Sequence, residues 1–160
     1  MTQEFTRYVS GLTVDKDFSQ AVLVRKNRPS FLEGRLCPPG GHVENGESYD
    51  EAVAREDGEE TGNQTAPEDW TLYAICRGPG WEMYCYYRIA DILTAIPDLT
   101  DEVVGIYSIA SVMLAAATPV GQGKGPEGCS DETHVAPDLV VLLGLVRQAR
   151  TRRSLAIIEY

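Results

Sequence analysis

The chain has 160 residues, 43% of them hydrophobic and 24% charged, with a formal net charge of −10, the profile of one globular domain large enough to bury a core. That charge argues against non-specific binding to nucleic acid or to an anionic membrane surface, and no apolar run reaches the length of a membrane span. Cys37, Cys76, Cys85 and Cys129 form no C-x-x-C pair, so they read as reduced thiols rather than zinc ligands, and with no apolar leader among the first residues the expected location is cytoplasmic.

Taken in order, residues 5–14 and 20–26 read as strands, the second a short apolar run of the kind buried in a mixed sheet. A polar loop follows over 27–35, with Arg25, Lys26, Arg28 and Arg35 in or beside it. These read first as solvated charges, the alternative being that one or two meet substrate phosphates. Pro38-Pro39-Gly40-Gly41 then imposes a rigid turn and leaves backbone with little side-chain cover. From Ser48 the chain reads as a helix: Ser48 is the N-cap, Glu51 completes a capping box, and Gly62 stands where the helix stops.

Residues 70–77 and 81–92 read as an antiparallel hairpin turned by Gly78-Pro79-Gly80, with Trp81, Tyr84, Tyr86 and Tyr87 packing across the strands. A polar loop over 98–102 leads to a strand at 103–109 and a short helix at 110–117. Residues 118–134 hold four glycines, two prolines and no hydrophobic period, which reads as an irregular insertion. A last helix, 137–150, carries Leu139, Leu142, Leu143 and Val146 on one face, and its closing arginines suit the negative end of its dipole. This order predicts an α/β layered domain with a mixed sheet.

Within the first helix Glu56, Glu59 and Glu60 recur at i, i+3 and i+4 and share one face, a repulsive arrangement unless a cation sits among them. Hard oxygens so placed suit Mg²⁺, with Mn²⁺ as its substitute, and Mg²⁺ commonly takes one or two carboxylates together with substrate phosphate oxygens. A metal held there would neutralise phosphate charge and activate a water. Arg55 can pair with Glu47 and fix the entry loop against the helix, while Gly40 and Gly41 let backbone carbonyls approach a metal.

The spacing G-x5-E-x7-R-E-U-x-E-E-x-G-U, with U a bulky aliphatic residue, is met at Gly41, Glu47, Arg55, Glu56, Glu59, Glu60 and Gly62. It resembles the Nudix box, and the chain is similar to MutT-like Nudix hydrolases over most of its length. The resemblance implies one Nudix domain over residues 1–160, an α/β/α sandwich about a mixed sheet, hydrolysing a phosphoric anhydride bond in a nucleoside diphosphate linked to another moiety. It implies metal ligation by Glu56, Glu59, Glu60 and the Gly40 carbonyl, with Glu47, Arg55, Glu56 and Glu102 as the catalytic group. Glu102 stands for the acidic residue that a later loop contributes in such enzymes, and Glu82 is the second candidate for it. The general base stays open among Glu47, Glu56 and Glu102. Tyr107 is placed either to stack on a base or to pack in the core.

The expected substrate is a nucleoside triphosphate. The alternatives are ADP-ribose or a nucleotide sugar, suggested by Pro79 sixteen residues after the box, and a non-catalytic nucleotide sensor. A small-molecule nucleotide is the expected partner, with neither nucleic acid nor membrane, and the oligomeric state is open. Two positions depart from the family pattern: Asp57 and Asn63 stand where aliphatic residues are expected. Asp57 falls four residues after Val53, on the face that packs against the sheet, so it is expected to be exposed or paired. Gly58 costs the helix roughly 1 kcal/mol relative to Ala.

Overall fold

The computed structural model describes residues 5–92, 103–117, 134–152 and 154–160. Strands β1 (Thr6–Val14), β2 (Gln20–Arg25), β3 (Arg35–Cys37) and β4 (Gly40–His42) precede helix α1 (Tyr49–Thr61). A single 3-10 turn at Pro67–Asp69 leads into β5 (Thr71–Gly78) and β6 (Trp81–Ile89). The chain continues with β7 (Val103–Ser108), α2 (Ile109–Ala117), β8 (His134–Val135), α3 (Leu139–Arg152) and β9 (Ala156–Glu159). No helix among the described residues is long and apolar enough to cross a membrane.

The strands form one mixed sheet in the order β8-β3-β2-β1-β6-β5-β9, with β4 added to β1 and β7 to β2. At its centre β1 runs parallel to β6 from Thr6–Trp81 to Val14–Ile89. The β5–β6 hairpin is antiparallel, with a bulge between Leu72 and Ala74. Side chains alternate across a strand, and here the alternation sorts two cores. Val9 of β1 and Tyr86 of β6 join Ala52, Val53 and Trp70 in a small cluster under α1. Leu12, Val14 and Cys85 point the other way, into a larger cluster with Leu139, Leu142, Leu143 and Val146 of α3. The result is a mixed sheet with helices on both faces, as expected.

The capping residues behave as read. Ser48 and Glu51 make both bonds of the capping box, and Gly62 takes the left-handed conformation (φ 73°) that ends α1. Four strands were not read from the sequence: β3, β4 and β8 are two or three residues long, and β9 follows the last helix without a turn signal. The hairpin's second strand ends at Ile89 rather than 92, and α3 is displaced two residues toward the C-terminus. Tyr107 is 7% exposed and belongs to the large core, so packing is its role here. The 98–102 loop with Glu102, Cys129 and nearly all of the 118–134 insertion lie outside the described residues.

Candidate active site

Helix α1 leans on the short strand β4, which is hydrogen-bonded to the first half of β1 with Ser10 opposite Gly40 and Val9 opposite Gly41. A Cβ at Gly41 would overlap the Glu56 carboxylate, which would have to move aside. That close approach brings Glu56 against the strand, with its side chain 13% exposed. One turn later Glu60 faces the same strand and accepts the Gly40 N–H at 3.2 Å. Glu59 stays on the rim, its side chain 61% exposed and 3.4 Å from Arg55. The helical face therefore divides into two sheltered carboxylates and one solvated one.

Arg55 ties the preceding loop to this face. Its Nε and Nη2 donate to the two oxygens of Glu47 at 2.8 and 3.2 Å, a two-point grip. Nη2 also donates to the His42 carbonyl at 2.9 Å, and Nη1 to Glu56 at 3.0 Å. Glu47 accepts the Glu44 N–H as well, at 2.8 Å, which closes the loop on itself. The hydrogen bond from Arg55 holds the Glu47 carboxyl below its ordinary range, and Glu47 in turn pushes the guanidinium up. At Glu56 burial dominates and raises the carboxyl, against the opposing pull of Arg55.

Lys26 is the residue that sequence reasoning misplaced. It lies just past β2 and is 8% exposed, so it is not the solvated charge first read there. Its ammonium donates to Glu60 and to the Gly40 carbonyl, the latter at 3.4 Å. The signal was present in the alternation: Lys26 continues the series Val22, Val24, both fully buried.

Glu82, the second candidate for the later acidic group, sits at the start of β6. It accepts the Tyr49 hydroxyl and lies 3.4 Å from Arg77, a packing arrangement away from β4. Among the described residues no three His, Cys, Asp or Glu side chains converge tightly enough to hold a metal unaided.

The two departures from the expected helix pattern are both absorbed. Asp57 is fully buried and meets Arg88 of β6. Asn63, half-buried, turns its N–H to the Thr61 hydroxyl at 3.2 Å. It helps to line a depression of about 550 Å³ on the outer side of α1, together with Ala54, Gly58, Gln64 and Thr65. Only Arg55 and Glu59 are shared between that depression and the carboxylate face.

A family model described as the NUDIX domain matches residues 5–125. No curated protein matches the chain significantly. Among solved structures, a mutator MutT protein from Bacillus halodurans is 21% identical, with a TM-score of 0.61 over 98% of this chain and 90% of that one. An ADP-ribose pyrophosphatase from Streptococcus suis is 14% identical, with a TM-score of 0.60 over 96% and 98%. A NUDIX hydrolase from Nitrosomonas europaea is 16% identical, with a TM-score of 0.58 over 100% and 82%. At these identities the likeness to the solved structures is one of fold.

Proposed function

The chain belongs to the Nudix family of hydrolases acting on phosphoric anhydride bonds, and from that premise we propose that it is a Mg²⁺-dependent pyrophosphohydrolase of nucleoside triphosphates. The observation that carries the proposal is the placement of Glu56 and Glu60 against the bare backbone of Gly40 and Gly41. A cation already rests there, the Lys26 ammonium between Glu60 and the Gly40 carbonyl. Among the described residues the donors there are carboxylate and carbonyl oxygens, a set that fits Mg²⁺ or Mn²⁺ and not a thiophilic metal.

In this reading Glu56, Glu60 and the Gly40 carbonyl hold the metal, with Glu59 joining from the rim. When bound, the metal neutralises phosphate charge and lowers the pKa of a coordinated water. The chain's own part is positional. Arg55 fixes Glu56 from one side, and its grip on Glu47 keeps the loop from 43 to 48 closed over the start of α1. Glu47 acts through Arg55, because both of its oxygens are engaged. Glu102 is proposed as the acidic group contributed by the later loop.

The triphosphate reading is kept over ADP-ribose because Pro79 is accounted for locally. It lies exposed in the two-residue turn between the paired residues Gly78 and Trp81, where turn geometry favours it. The test is release of phosphate, pyrophosphate or nucleotide from NTPs, dNTPs, ADP-ribose, dinucleoside polyphosphates and sugar nucleotides, with and without Mg²⁺. Metal-dependent turnover with the highest kcat/KM on a triphosphate is expected. A higher value on ADP-ribose would reassign the substrate, and tight nucleotide binding without turnover would make the protein a sensor.

A further inference from the structure

Lys26 couples the metal site to the strand behind it in a way the family assignment does not require. Its stem leaves β2 beside fully buried Val22 and Val24, so only 10% of the side chain is exposed. The head cannot drift into solvent as a surface lysine would. It is held by the Glu60 carboxylate, itself 15% exposed, and by the Gly40 carbonyl. Glu60 also accepts the Gly40 N–H, so strand and helix are stitched together through the ammonium and this bond.

Two of the oxygens read above as metal ligands are therefore joined by a fixed cation. An ammonium and a divalent ion cannot share those oxygens at contact distance, because their repulsion grows steeply where water is excluded. Leaving Glu60 sheltered with no cation at all is also costly. Resting on the metal-site reading, we propose that Lys26 is a built-in competitor of the divalent cation, holding Glu60 and the Gly40 carbonyl together in the metal-free protein and yielding them when the metal enters. A flexible stem with three rotatable donors suits that exchange better than the rigid fork of an arginine would. The consequence is a site kept assembled without metal, at the expense of metal affinity in the free protein.

Calorimetric titration of the metal-stripped full chain with Mn²⁺ alone, no nucleotide present, tests this. Lys26→Met should bind Mn²⁺ at least about fivefold more tightly than the wild type, the lower end of ordinary coupling between two sites. Lys26→Gln, which keeps a polar head that can still bond to Glu60, should show the same direction if the Met variant folds poorly. Lys26→Arg retains the charge but exchanges less readily, and should bind Mn²⁺ no more tightly than wild type. Without metal both neutral variants should melt below wild type, and Mn²⁺ should raise their melting temperature by more. Equal or weaker Mn²⁺ binding by a folded neutral variant would overturn the inference and leave the metal site standing. Absence of Mn²⁺ binding in wild type and variants alike would overturn both.

Discussion

Asp57 and Arg88 meet inside the protein: Asp57 Oδ2 lies 3.6 Å from Arg88 Nη2, and the guanidinium sits 5.4 Å over the Trp70 ring. The carboxylate is fully buried and the arginine side chain 15% exposed. The Thr61 hydroxyl is shared between the Asp57 backbone carbonyl at 2.6 Å and its Oδ1 at 3.3 Å. Among the described residues neither Asp57 Oδ2 nor Arg88 Nε has a hydrogen-bond partner. The pair thus replaces an apolar contact between α1 and the sheet, and does so with imperfect geometry.

A double-mutant cycle should expose that replacement. Arg88→Met alone strands a buried carboxylate and should destabilise the fold by about 3–5 kcal/mol. Asp57→Leu combined with Arg88→Met restores an apolar contact and should be neutral or stabilising, by up to about 4 kcal/mol. Chemical denaturation of the metal-free protein measures both. A double variant clearly less stable than wild type would show that the ion pair contributes more than an apolar contact would in its place.

The same carboxyl sets a pH dependence. Burial lifts Asp57 from 3.8 to about 6, more than Arg88 pulls it down. Between those values the folded chain keeps a proton that the unfolded chain has released, so this group's contribution to stability falls as pH rises through the window and is level above it. The displacement corresponds to about 3 kcal/mol. Asp57→Leu lacks this contribution, so its stability relative to wild type should improve from pH 4 to about 6 and then stay constant. Differencing the two removes the opposite contribution of carboxyls held low, such as Glu47. Parallel stability curves for the two proteins would refute the assignment.

Glu60 and Glu47 should separate in kinetics. Glu60→Gln removes charge from the oxygen set at Gly40, and should lower kcat/KM by about 10²–10³-fold or more, the scale of losing one preorganised electrostatic group. Glu47→Gln loosens Arg55 and should cost about 10–100-fold, as for residues that orient a ligand. Mn²⁺ affinity should fall in the first and be nearly kept in the second. The reverse order would make Glu47 a direct participant.

The fold and the acidic helix were legible because they rest on local rules. Ser48, Glu51 and Gly62 fix the helix ends by hydrogen bonds within a few residues, and the spacing of Glu56 and Glu60 then puts both on one face. What escaped depends on partners distant in sequence. Asp57 finds Arg88 thirty-one positions away, and Lys26 finds Glu60 thirty-four away. Parity could have placed both basic residues on the α1 side, since Arg88 follows Tyr84 and Tyr86 and Lys26 follows Val22 and Val24. Strands β3, β4 and β8 escaped for a different reason. Each is two or three residues long and is defined by its neighbour, not by its own pattern.

Two glycine substitutions should part activity from stability. Gly41 has ordinary backbone angles, so Ala is tolerated conformationally, but its Cβ would overlap the Glu56 carboxylate. Relief requires Glu56 to turn away, which breaks its bond to Arg55 and removes it from β4. Gly41→Ala should therefore stay folded while turnover drops by about 100-fold or more, with weaker Mn²⁺ binding. Gly144 lies within α3, and a Cβ added there would meet no atom within 4 Å. Gly144→Ala should stabilise the protein by about 0.5–1 kcal/mol, from the reduced entropy of the unfolded chain and better helix propensity, and leave kinetics unchanged. If Gly41→Ala kept full activity, Glu56 would not need its place against the strand, and the ligand role proposed for it would fall.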